Sequence, residues 1–80
     1  MSTDNVALGQ EQCRAARAML DMTQPQLAKA AGIGLSTVVD FERGRRAVAP
    51  ATVAAIRAAL EAAGVAFIPA NHGGPGVRLR

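Results

Sequence analysis

The sequence predicts a mainly α fold: four short helices followed by a C-terminal β-hairpin. Apolar residues recur at spacings of three and four through most of the chain, which is the period of a half-buried helix. Three of the periodic runs stop at a glycine (Gly32, Gly44, Gly64), the residue best suited to the left-handed cap. Beyond Gly64 the period shortens to two, and turn-forming residues separate two short β-prone runs.

The first helix is expected from Gln10 to Asp21, with Cys13, Ala16 and Leu20 on one stripe. Thr23 opens the second. Its spacing to Gln26 is that of a capping box, and Pro25 falls in the first turn, where its missing N–H costs least. Leu27, Ala28 and Ala31 form the inward face, and Gly32 ends the helix. Ile33 points inward from the turn and Gly34 precedes a third helix, Leu35 to Arg43, whose inward stripe is Val38 and Phe41. Gly44 stops it, and Arg43, Arg45 and Arg46 gather in a basic loop. Pro50 marks the start of a fourth helix with Val53, Ile56 and Leu60 at helical spacing. Val65–Ile68 and Val77–Arg80 then read as the arms of the hairpin.

With 80 residues the chain makes one small domain, half of it apolar, much of that alanine. Alanine favours helix but buries little area, so the core rests on few large side chains. The net charge of +3 comes almost entirely from arginine, which forks onto phosphates and guanine edges better than lysine does. No signal peptide and no membrane-length apolar run is visible, so the expected compartment is the cytoplasm. One cysteine, Cys13, and one histidine, His72, cannot supply a zinc finger. Cys13 reads as a small core residue and His72 as an exposed turn residue. There is no Ser-His-Asp set, no metal-ligand spacing and no phosphate loop; Gly73, Gly74 and Gly76 lack a following helix. The expectation is no catalysis, no metal and no cofactor.

The window Gln24 to Arg43 carries the functional signal. Ala28 lets two short helices approach closely, Gly32 turns the chain between them, and Leu27, Ala31, Ile33, Val38 and Phe41 point to a common core. One side of the third helix is left free. Leu35, Ser36, Val39 and Asp40 do not fit its inward stripe and must face elsewhere.

The run LDMTQPQLAKAAGIGLSTVVDFERGRR resembles the helix-turn-helix of the Cro/C1-type repressors, the XRE family. The resemblance covers about residues 10–65. It implies a four-helix repressor-like helix-turn-helix domain over residues 9–64, after a flexible tail at 1–8 and before the hairpin at 65–80. It further implies that Gln24 touches the DNA backbone and that the third helix lies in the major groove, with Leu35, Ser36, Val39 and Asp40 toward the bases. Thr37 then lies near the phosphates, and Arg43, Arg45 and Arg46 grip them. Arg17 and Glu42 match a pair that the family uses as a structural clamp. The family more often places polar or basic readers at the outward positions. Here Leu35 and Val39 suit thymine methyls, Ser36 suits either kind of base edge, and Asp40 suits the amino group of cytosine.

Two functions are compatible with these residues. One is a sequence-specific regulator of transcription, a repressor that binds double-stranded DNA as a homodimer across ~34 Å. The hairpin is the candidate dimerisation element, through Val65 and Phe67 on one arm and Val77 and Leu79 on the other; the same residues would otherwise cap the fourth helix. The other function is an antitoxin or adaptor whose main partner is a protein, docked on Leu35 and Val39.

Overall fold

A computed structural model describes residues 8–69 and 74–80. In chain order it contains α1 (Gln10–Leu20), α2 (Gln24–Ala31), α3 (Leu35–Arg43), α4 (Pro50–Ala63), β1 (Val65–Ile68) and β2 (Gly76–Leu79). The turn position of His72 lies outside the described residues. Among those residues, no helix is long and apolar enough to cross a membrane.

The helix ends follow from local chemistry. Thr23 Oγ1 accepts from the Gln26 N–H at 3.2 Å and Gln26 Oε1 accepts from the Thr23 N–H at 2.9 Å, a reciprocal box at the start of α2. Gly32 closes α2 at φ 71° and Gly44 closes α3 at φ 66°, both left-handed. Helix α1 stops one residue earlier than its apolar period suggests. Asp21 itself adopts the left-handed cap (φ 54°), and the Met22 N–H returns to the Arg17 carbonyl at 2.9 Å.

Leu8, Cys13, Ala16, Leu27, Ala28, Val38, Ile56, Leu60 and Val65 form the buried core, with Leu20, Ile33, Phe41, Val53, Phe67 and Val77 packed on it. Leu8, assigned to a flexible tail, is buried. The hairpin lies against α1 and α4, and Val65 is fully buried.

The strands pair antiparallel, with Val65 opposite Leu79 and Phe67 opposite Val77. Alternation puts all four on one face, turned toward the chain's own helices. Val65 is thereby spent in the protomer's own core, while Phe67 and Val77 stay half-buried beside it. Leu79 remains 55% exposed at the open end of the ladder. Arg57 of α4 sets its guanidinium 5.4 Å from the Phe67 ring centre and pairs with Glu61, fixing β1 to α4. Buried Gln12 donates to the Gly76 carbonyl at 2.9 Å and accepts from the Gly9 N–H at 2.9 Å, joining α1 to β2.

Candidate nucleic-acid interface

The turn between α2 and α3 is held by its own backbone. The Ile33 N–H reaches the Ala28 carbonyl at 3.0 Å, and the Gly34 carbonyl accepts from Thr37 and Val38 to start α3. Helix α3 then divides by face. Val38 and Glu42, four apart, are buried, and Phe41 packs beside them. On the opposite face stand Ser36, Asp40 and Arg43, with Leu35 and Val39 along one flank and Thr37 on the other. Leu35 is 45% exposed. Ser36, Arg43 and Arg45 are exposed, whereas Thr37, Val39 and Asp40 are half-buried.

The inward carboxylate orients this helix. Arg17 of α1 grips both oxygens of Glu42, Nε to Oε2 at 2.6 Å and Nη2 to Oε1 at 2.7 Å. Gln24 Nε2 donates to Oε1 at 2.9 Å and the Cys13 thiol donates to Oε2 at 3.1 Å. Arg14 donates to the Glu42 backbone carbonyl. Burial pushes the Glu42 carboxyl upward, but the donors from Arg17, Cys13 and Gln24 outweigh it and hold it below the ordinary carboxylate value. Burial, and then the adjacent Glu42 carboxylate, push the Cys13 thiol well above its ordinary value, so it stays a neutral donor. One carboxylate thus ties α1 and α2 to α3 and fixes how α3 is presented.

A second charge pair lies on the outer side. Gly44 turns the chain back along α3, and the Arg45 N–H returns to the Asp40 carbonyl at 3.0 Å. Arg46 Nε then meets Asp40 Oδ2 at 2.9 Å.

The residues singled out from sequence therefore fall into groups. Arg17, Glu42 and Gln24 meet in a buried cluster; Gln24, expected on the DNA backbone, spends one amide hydrogen on Glu42. Asp40 meets Arg46 through one bond, and the Arg46 side chain remains 54% exposed. Leu35, Ser36, Arg43 and Arg45 share the exposed side with half-buried Thr37 and Val39. The Cys13 and Arg14 contacts to Glu42 were not anticipated. Their signal was a glutamate at an inward position four residues after Val38, which demands buried donors.

A family model described as helix-turn-helix matches residues 14–63, from Arg14 in α1 through the end of α4. No curated protein matches the chain. With its matched segment covering more than half of its length and its two central helices joined at Gly32, the chain belongs to the Cro/C1-type helix-turn-helix family and is a DNA-binding regulator.

Proposed function

We propose that the chain is a sequence-specific transcriptional repressor that binds double-stranded DNA as a homodimer and inserts α3 into the major groove. The observation that carries this is the outward side of α3: an exposed Leu35 beside an exposed Ser36 at the helix start, with Val39 and Asp40 one turn on. The N-terminal turns of such a helix reach base edges, where Leu35 and Val39 meet thymine methyls and Ser36 a donor or acceptor. Arg43 and Arg45 lie exposed just after the reading residues, and neither forms an ion pair among the described residues. They take phosphates, together with Thr37 and the second amide hydrogen of Gln24. Dimerisation follows from size, because one small module buries too little surface for tight specific binding. Of Val65, Phe67, Val77 and Leu79, Leu79 is the most exposed and so the best placed to meet a partner. Repression needs only that the bound protein occupy the promoter.

Anisotropy with labelled DNA from the gene's own upstream region, against a scrambled control across a salt series, tests the reading. The expected result is preference for the native fragment by at least ~10³, with affinity falling as salt rises. Equal, weak binding to both fragments overturns it and favours a protein partner on the Leu35 side of α3.

A further inference from the structure

The pair that sequence patterning did not anticipate is Asp40 with Arg46. Asp40 lies at the middle of the outward face of α3, four residues from Ser36, yet its side chain is only 23% exposed. Arg46 covers it, itself 54% exposed, through one bond from Nε to Oδ2. The other carboxylate oxygen, Oδ1, makes no hydrogen bond among the described residues. An acidic residue here would ordinarily be a liability, because it meets the phosphate field before any base. Arg46 offsets that charge locally and fixes the direction of the carboxylate.

We infer that Asp40 reads a cytosine in the major groove through Oδ1, and that Arg46 is its positioning residue. The inference rests on the DNA-binding mode proposed above. A carboxylate can only accept, so its major-groove targets are the amino groups N4 of cytosine and N6 of adenine. The adenine amino group is flanked by acceptors on both sides, N7 of its own ring and O4 of the paired thymine. The cytosine amino group has an acceptor on one side only, O6 of the paired guanine. A carboxylate with one oxygen already held is therefore repelled less at cytosine. Asp40 thereby becomes a specificity-determining residue, and Arg46 acts through Asp40 instead of gripping the backbone.

Selection from a pool of randomised duplexes, followed by anisotropy on the selected sequence, tests this with wild type, Asp40→Asn, Arg46→Ala and the double variant. Wild type is expected to enrich a C·G pair at one position of the half-site, with a cost of roughly tenfold for changing that pair. Asp40→Asn is expected to move the preference at that position to adenine, whose N6 and N7 an amide reads as a pair, and to leave the other positions unchanged. Arg46→Ala is expected to weaken binding by roughly tenfold beside Asp40, but by less than about twofold in the D40N background, where there is no charge to offset. Arg46→Gln provides the same comparison if the alanine variant is unstable.

An equal loss for Arg46→Ala in both backgrounds makes Arg46 a phosphate clamp and overturns its positioning role. An unchanged selected sequence for Asp40→Asn overturns base reading by Asp40 while leaving DNA binding by α3 intact. Failure of wild type to enrich any sequence removes both the inference and the proposal beneath it.

Discussion

Arg17 and Glu42 meet through two parallel bonds although they lie on different helices and Glu42 is 2% exposed. Removing the cation leaves a buried carboxylate with weaker donors. Arg17→Met is therefore expected to destabilise the fold by about 3 kcal/mol. Replacing both partners, Arg17→Met with Glu42→Leu, is expected to cost less than the single change, because no charge is stranded. Urea titrations of the three chains give the comparison; a double variant weaker than Arg17→Met contradicts it.

The same pair sets an acid limit. Glu42 has a folded-state value below its ordinary 4.5, so between the two values the unfolded chain binds more protons. Its contribution is fully present above about 4.5 and is lost as pH falls through the folded value. Thermal midpoints measured down a pH series should drop below that point in wild type. The drop should be shallower in Arg17→Met, and identical slopes would show that Glu42 is not the group responsible.

Cys13 is fully buried and its thiol is held neutral. Alkylation in native buffer should therefore proceed only through opening of the fold, at least ~10³ slower than in denaturant. Labelling at the denatured rate under native conditions would mean that the α1–α3 contact is loose.

Two cap glycines separate conformational strain from crowding. Gly32 is left-handed with no atom within 4 Å of an added Cβ, whereas a Cβ on Gly44 would lie 2.6 Å from Gln10 Oε1. Gly32→Ala should cost about 1–2 kcal/mol from backbone strain alone. Gly44→Ala should cost that and a little more, and adding Gln10→Ala should remove the excess. Melting curves of the four chains test the subtraction.

Within the hairpin, Val65 belongs to the protomer and Leu79 does not. Val65→Ala should cost about 2 kcal/mol of stability. Leu79→Ser should change stability by less than about 0.5 kcal/mol, yet shift sedimentation toward monomer if the dimer uses that side chain. A dimer untouched by Leu79→Ser places its interface elsewhere.

Helix positions were legible in the sequence because caps and apolar spacing act within a few residues, as at Thr23 with Gln26 and at Gly32. The hairpin was legible as a hairpin but not in its allegiance. Alternation states that Val65, Phe67, Val77 and Leu79 share a face, and says nothing of what that face meets. The Asp40–Arg46 pair was hidden because its partners are six residues apart across a glycine cap, outside the three- and four-residue rules for helix faces. The engagement of Gln24 with Glu42 was hidden for a related reason: it is a contact between two helices, set by the angle at which they cross. Asp21 was misjudged because aspartate seldom takes the left-handed cap that glycine favours.

Val65 in the core and the bond from Gln12 to Gly76 give the order of synthesis a structural meaning. On the ribosome all four helices emerge before the strands that close one wall of their core. Until β1 is out the apolar side of α4 lacks Val65, and until β2 is out α1 lacks its partner at Gly76. Nascent chains stalled at increasing lengths should thus stay protease-sensitive through Ile68 and become resistant only once Val77 has emerged.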